Sequence, residues 1–435
     1  MTPLEIGFFG IGAVILLIAL RVPIGAALGL VAFFGIVSLR NVDVAFAALR
    51  TTPFEFAAHW SLSAIPMFLL MGAVAYYSGI SSALFNAARL WLGALPGGLA
   101  VAATFACAGF AAASGASIAT AAAMGRITIP EMLAIKYDKG LAAGVVASAG
   151  TLGTLIPPSI LMVLYGIFAE VSVSKLFIAG ILPGILTAFV YSAMIVVRCR
   201  LNPALAPNID FEATWGERFA ALREIWPLAA LVAGIIGGLY AGVFTATEAG
   251  AAGASLAIVI VWLQGKLTLE RLKLSVLEAL SSTARIFFVA VGAVLLTRFL
   301  ALTGVPGYLA EVVGGWAGDP LLLVIAASLI YIVLGMFLDP LGVMLLTLPL
   351  FLPMFTALNL DLIWFGILVI KYLEIGMITP PVGMNVYVIK SVVGDKIELE
   401  TIFKGVAWFL VCDIVVIALI VAFPDIALLL PGMMR

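Results

Sequence analysis

Long apolar runs separated by short polar breaks set the pattern of this chain. Runs at about 4–20, 23–39, 62–80, 140–170, 176–197, 227–246, 248–264, 275–301, 361–393 and 403–423 approach or exceed the length of a bilayer-crossing helix, which takes about 20 residues. The pattern predicts ten crossings. Two further apolar regions do not fit a simple crossing. Residues 97–134 form two short arms about Ala113-Ser-Gly-Ala-Ser117, and 319–357 form two short arms about Gly335-Met-Phe-Leu-Asp-Pro340. A short apolar arm with a Gly/Ser/Pro tip turns back, so each predicts a re-entrant helical hairpin. The stretches 42–58 and 81–95 read as amphipathic helices at the surface, suited to bracing or to a subunit interface.

Two of the long runs carry breakers. Gly150-Thr-Leu-Gly-Thr-Leu-Ile-Pro-Pro-Ser159 lies inside the run 140–170, and Ile378-Thr-Pro-Pro-Val-Gly-Met-Asn385 inside 361–393. A Pro-Pro pair removes two backbone donors and disfavours helix before it. Each run therefore predicts a helix broken near mid-membrane. Ser114 precedes Pro157 by 43 residues, and Asp339 precedes Pro380 by 41. The order of hairpin, broken span and closing span is thus repeated. The fold expected is an all-α polytopic membrane protein built on inverted repeats, with two re-entrant hairpins and two broken helices. Residues 1–96 form N-terminal spans and braces, 97–197 a first repeat, 198–301 a linker and further spans, and 302–435 a second repeat with the final span. The polar segment 198–226, with Pro203 and Pro207, marks the boundary between halves.

Basic residues orient this arrangement. With the N-terminus outside, fifteen Lys and Arg fall in cytoplasmic loops, from Arg21 to Lys404, and four fall outside: Arg40, Arg50, Lys175 and Arg435. That bias matches the positive-inside rule. The first hairpin then enters from the cytoplasm and the second from the other face. The N-terminus lacks a basic n-region and a small-residue cleavage site, so residues 4–20 read as a retained span.

Composition narrows the function. The chain has 435 residues, 64% hydrophobic and 10% charged, with net charge −1. Soluble proteins carry about 25% charged residues, so this chain belongs in a lipid bilayer. No basic stripe suggests nucleic acid. Cys107, Cys199 and Cys412 are isolated, and His59 is the single histidine, so disulfide and metal-cluster readings are weak. No nucleophile triad, P-loop or dinucleotide fingerprint occurs. No cofactor is expected beyond a coupling ion.

Two broken spans in matching halves point to a transporter binding site. In the first half, Ser114, Ser117 and Thr120 at a hairpin tip face Thr151, Thr154 and Ser159 at a break. In the second, Gly335 to Asp339 face Thr379, Gly383 and Asn385. Hydroxyls and freed carbonyls are hard donors that suit Na⁺. Half-helix N-termini suit a substrate carboxylate. Ser117, Pro157, Ser159, Thr379, Pro380 and Asn385 are the candidate substrate contacts. Asp339 can coordinate a cation or cap the arm that starts at Pro340. Lys371 and Glu374, three apart on one helical face, read as an internal ion pair; alternatively Glu374 touches coupling ions. Glu248 after Thr245 reads as a capping group. Arg285 and Arg298 read as snorkelling or subunit-contacting residues. Asp413 has no evident partner.

Together the quoted motifs, with Ser114-Gly-Ala-Ser-Ile-Ala-Thr120 and Gly242-Val-Phe-Thr-Ala-Thr-Glu-Ala-Gly250, resemble the large membrane subunit of tripartite ATP-independent periplasmic (TRAP) transporters. The resemblance covers essentially the whole chain; Ala246 stands where the family often has proline. It implies an elevator-type member of the ion-transporter superfamily in the bacterial inner membrane. Na⁺ would drive uptake of an organic anion such as a C4-dicarboxylate, sialic acid or keto acid. A periplasmic substrate-binding protein would deliver it, and a separate small four-helix membrane subunit would brace the complex. Family Na⁺ sites carry by position to Ser114, Ser117, Gly150 and Thr154, and to Gly335, Asp339, Thr379 and Gly383. The rival readings are a stand-alone dicarboxylate/Na⁺ symporter of the same superfamily and, more remotely, a membrane-embedded enzyme.

Overall fold

A computed structural model describes residues 1–207, 213–315 and 320–434. Part of the predicted linker, the start of the second hairpin region and Arg435 lie outside the described residues. Elsewhere the described chain is helical, as lipid requires: without water, a helix satisfies its own backbone groups.

The first hairpin consists of arms Gly98–Ser114 and Ser117–Ala134, which pack on each other. Gly115 turns the chain at φ +62°, a conformation that L side chains resist. The first broken span runs Lys139–Ala149, a single turn Leu152–Leu155, then Ile160–Phe168, with a bend of 42° across the Pro-Pro break. The second hairpin has arms Pro320–Gly335 and Pro340–Ala357, and the second broken span runs Leu362–Gly376 and Met384–Val393. Pro157-Pro158 and Pro380-Pro381 both have cis bonds.

Around these units stand helices of a different character. Ile24–Leu39, Ala64–Ser78, Ala246–Leu263 and Leu269–Thr303 pack mainly against one another. With Pro3–Ala19 they form a frame that exposes large apolar side chains, including Phe9, Phe34, Trp262 and Phe288. By contrast every residue of the broken span from Trp364 to Gly376 is buried, as is the arm from Gly140 to Ala149. A helix apolar all round belongs inside, so lipid meets the frame and the broken spans lie at the centre.

Among the described residues, six helices have the length and hydropathy to cross a membrane, or eight if each bent pair is one span. The sequence pattern predicts ten. Pro3–Ala19 and Ile24–Leu39 hold only 17 and 16 residues, or roughly 25 Å of rise. The second broken span is interrupted from Met377 to Gly383. Conversely, Pro340–Ala357 is long and apolar enough to cross, so its tip rather than its length marks the second hairpin.

The surface helices are tied to the rest. Val42–Ala57 is held by Arg298, which contacts Glu55 at 2.5 Å and Thr51 at 3.4 Å; Arg298 therefore has its partners inside the chain. Ile80–Leu92 packs on the first hairpin and links to it through Arg89 and Glu131, 3.2 Å apart. The linker helix Trp215–Glu224 covers it through Trp91, whose indole N–H donates to the Arg218 carbonyl at 3.2 Å. Thr245 and Glu248 form a reciprocal capping box, as the sequence suggests. The C-terminal tail, uninformative in sequence, folds as Asp425–Gly432 against Val173–Leu201.

Glycine sets the closest approach. Lys139–Ala149 meets the last long helix, Leu399–Ala422, backbone to backbone. A Cβ on Gly144 would stand 2.6 Å from the Gly405 carbonyl carbon, and backbone cannot move aside as a side chain can. Gly144→Ala should therefore destabilise by about 1–3 kcal/mol, read as a melting temperature lowered by several degrees in purified protein. Gly12→Ala, with nothing within 4 Å of the new methyl, should leave it unchanged.

Candidate functional site

The first tip sits directly on the first break. A Cβ on Gly115 would stand 2.7 Å from the Pro158 carbonyl oxygen, and one on Gly153 would stand 2.7 Å from that of Ala116. The Gly115 carbonyl accepts from the Ile160 N–H at 3.4 Å. Ser114 and Thr120 hydroxyls lie 2.6 Å apart, and Thr120 donates to the Ala116 carbonyl at 2.9 Å. Ser159 restarts the helix as its N-cap: its hydroxyl accepts from the Met162 N–H at 3.4 Å. Gly150 packs tightly on Ala121, 2.7 Å from a hypothetical Cβ. The tip and the break that sequence spacing pairs are thus in contact.

The second half repeats the arrangement with other chemistry. Gly335 at the hairpin end meets Gly376 at the start of the break, and a Cβ on Gly376 would stand 2.7 Å from the Gly335 Cα. Asp339 is an N-cap: its Oδ2 accepts from the Leu341 and Gly342 N–H groups at 3.1 and 3.3 Å. Thr379 donates to the Ile375 carbonyl at 2.6 Å, and Gly383 takes φ +57° to start the next helix. Pro380 is exposed.

A cavity of about 410 Å³ gathers part of both halves. Gly115, Ala116, Ser117 and Thr154 line it from the first half, and Asp339, Pro340 and Met377 from the second. Ser282 and Arg285 close it from the frame helix Leu269–Thr303. Arg285, read from sequence as a snorkelling or subunit-contacting residue, thus faces the site. Two half-helices begin here, at Ser117 and at Pro340, so two positive dipole ends and a guanidinium converge on one space. An adjoining cavity of about 580 Å³ shares Ser282 and Arg285 and extends toward Arg126 and Glu278. A larger cavity, about 710 Å³, lies beside His59, Glu170, Lys175 and Thr245 and holds none of the predicted site residues. Of those residues, Ser117, Thr154 and Asp339 line the 410 Å³ cavity; Ser114 lines its neighbour; Gly150, Pro157, Ser159, Gly335, Thr379, Pro380, Gly383 and Asn385 line neither.

Asn385 nevertheless reaches across to the first half. Its Nδ2 donates to the Ser117 hydroxyl at 2.8 Å and the Ala147 carbonyl at 3.1 Å. A carbonyl only accepts, so the amide nitrogen must face it and Oδ1 is turned away. Among the described residues that buried Oδ1 has no partner, and neither has the buried hydroxyl of Ser148 beside Ala147. Orphaned buried oxygens are rare. Hard oxygens of this kind fit a hard monovalent cation.

The cluster that sequence reasoning left incomplete lies behind Thr154. Lys371 Nζ stands 2.8 Å from Glu374 Oε2 and 2.7 Å from Asp413 Oδ1, all with no exposure. Tyr191 donates to Asp413 Oδ1 at 2.7 Å, and the Thr154 hydroxyl lies 3.2 Å from Glu374 Oε1. The Lys371–Glu374 pair is as expected. Its third member, Asp413, was visible only as an unexplained charge in an apolar run, and Tyr191 gave no signal.

Comparison with known proteins agrees with this architecture. Residues 11–426 match the family described as tripartite ATP-independent periplasmic transporter, DctM component. The chain is 36% identical over 383 residues to the C4-dicarboxylate TRAP transporter large permease protein DctM of Pseudomonas aeruginosa, covering 87% of this chain and 88% of that one. It is 31% identical over 410 residues to the sialic acid TRAP transporter large permease protein SiaM of Vibrio cholerae, covering 94% of each. Among solved structures, the YdaH transporter of Alcanivorax borkumensis superposes with a TM-score of 0.58 at 15% identity, over 88% of this chain and 90% of that one, a likeness of fold alone. With the motifs, the paired hairpins and breaks, and the match over nearly its whole length, the chain belongs to the DctM component family of tripartite ATP-independent periplasmic transporters.

Proposed function

We propose that this chain is the membrane permease of a Na⁺-coupled importer for a carboxylate-bearing organic anion. The observation that carries the reading is the 410 Å³ cavity, where two half-helix N-termini and Arg285 meet beside hydroxyl groups. Such a site favours a carboxylate: the uncapped N–H groups of the arm that starts at Ser117, the dipole ends and a guanidinium all attract it. Relatives at similar identity are named for C4-dicarboxylates and for sialic acid, which share the carboxylate and differ elsewhere. Family membership supports delivery by a periplasmic binding protein and bracing by a small membrane subunit. The N-terminus lies on the periplasmic side in this reading, following the excess of basic residues in the opposite loops.

Coupling follows from charge. Asp339 lines the same cavity as Arg285. With its carboxylate uncompensated, an incoming anion is repelled. A Na⁺ held by Asp339 and nearby oxygens removes that repulsion, so each ligand raises the other's affinity. In the first half, the oxygens of Ser117, Thr154, Ser148 and Asn385 would hold a second Na⁺. The broken helices and hairpins then move as a transport unit against the frame, in the elevator manner. The apolar, lipid-exposed frame and the buried central unit support that division.

Uptake and variant measurements test this. In proteoliposomes carrying the assembled transporter, uptake should require an inward Na⁺ gradient; gradient-independent uptake would sink the coupling. Arg285→Gln should raise the KM for the anion about tenfold or more without lowering the melting temperature, since the side chain is exposed to the cavity. Ser117→Ala and Thr379→Val should raise the Na⁺ concentration that gives half-maximal uptake. Asp339→Asn preserves a good N-cap, so it should fold normally yet need more Na⁺. Asp339→Ala should also lose about 1 kcal/mol of stability with the cap.

A further inference from the structure

The buried ionic cluster is absorbed by neither the anion site nor the frame. We propose that Glu374 is a positioning residue for Thr154: with the Thr151 carbonyl it takes up the Thr154 hydroxyl proton and so leaves that oxygen's lone pairs for a cation in the first half. Lys371, Asp413 and Tyr191 hold Glu374 in place. The inference rests on the reading of Thr154 as a Na⁺ contact.

A threonine hydroxyl has one proton and two lone pairs, and it rotates to suit its surroundings. A freely rotating hydroxyl would turn its proton toward a cation part of the time. Thr154 Oγ1 instead has two acceptors within reach, the Thr151 carbonyl at 2.8 Å and Glu374 Oε1 at 3.2 Å. The single proton is taken up by these acceptors, and the oxygen's lone pairs are left for a cation. Thr154 also lines the cavity beside both tips, so its oxygen is available there.

Glu374 cannot drift. Its other oxygen is 2.8 Å from Lys371 Nζ, which is 2.7 Å from Asp413 Oδ1, which accepts from Tyr191. These groups come from three helices, Leu362–Gly376, Leu399–Ala422 and Val173–Leu201. For stability alone this is a poor choice: a buried ion cluster is often no more stable than apolar residues of the same volume. Its geometry does what an apolar cluster cannot, since it fixes an acceptor at the edge of the first break.

The test uses the full chain in lipid nanodiscs, with Na⁺ binding measured by calorimetry and by the Na⁺-dependent rise in melting temperature. Thr154→Val removes the oxygen. Glu374→Leu removes the acceptor, yet leaves Lys371 paired with Asp413. Glu374→Gln keeps an acceptor oxygen. We expect Thr154→Val and Glu374→Leu each to weaken Na⁺ binding about tenfold. The double variant should be no weaker than Thr154→Val alone, because coupled residues are not additive. Glu374→Gln should stay within about threefold of the unaltered chain. If Glu374→Leu does not fold, Tyr191→Phe serves in its place: it should weaken Na⁺ binding by about two- to threefold, and not at all in the Thr154→Val background. The proposal is overturned if the Glu374→Leu effect adds in full to that of Thr154→Val, if Glu374→Leu is silent, or if Glu374→Gln is as damaging as Glu374→Leu. A silent Thr154→Val would instead remove Thr154 from the Na⁺ contacts and overturn both readings together.

Discussion

A helix broken in an apolar interior leaves backbone and side-chain polar groups that water cannot reach. Each such group costs several kcal/mol if left unpaired. Much of this fold can be understood as the answer to that constraint. The Gly115 carbonyl takes the Ile160 N–H, Ser159 caps the restarted helix, and Asp339 caps the second hairpin arm. The hairpins exist because a tip can be brought to a break, where a straight helix would offer nothing. What the tips do not satisfy is left facing a cavity or turned toward buried space, as with the Asn385 Oδ1 and the Ser148 hydroxyl.

The two halves do not satisfy themselves separately. Asn385, from the second break, bonds Ser117 at the first tip and Ala147 in the first broken span. Glu374, from the second broken span, lies against Thr154 of the first. Asp413 and Tyr191 then bind the closing spans of both halves to Lys371. Neither repeat would be complete in polar terms without the other. The central unit is therefore a single interlocked body, and its glycine contacts, such as Gly144 against Gly405, let backbones approach closely enough for these short bonds to form. The frame makes a different kind of contact. It meets lipid with large apolar side chains and meets the centre through small residues, such as Gly72 beside the Ser114 carbonyl. The 410 Å³ cavity is walled partly by each, with Arg285 from the frame and Asp339 from the centre.

The helical, polytopic class, the two hairpins, the two breaks and their pairing were legible in the order of residues along the chain. Those features follow from local rules: run length, Pro-Pro chemistry, and glycine or serine at the tips. That order also carried the capping roles of Thr245 with Glu248 and the Lys371–Glu374 pair, because these partners lie within one helical turn. Tertiary structure alone decided the rest. Asp413 looked stranded because its partners, Lys371 and Tyr191, are 42 and 222 positions away in the chain, and no local period connects them. Arg285 and Arg298 looked alike, two cations on one apolar helix; only packing sends the first to the cavity and the second to Glu55. Of the predicted site residues, Ser117, Thr154 and Asp339 reached the 410 Å³ cavity, while Ser159 and Gly383, which also begin helices, did not, since a residue's type states what it can bind while only the fold states what stands within reach of it.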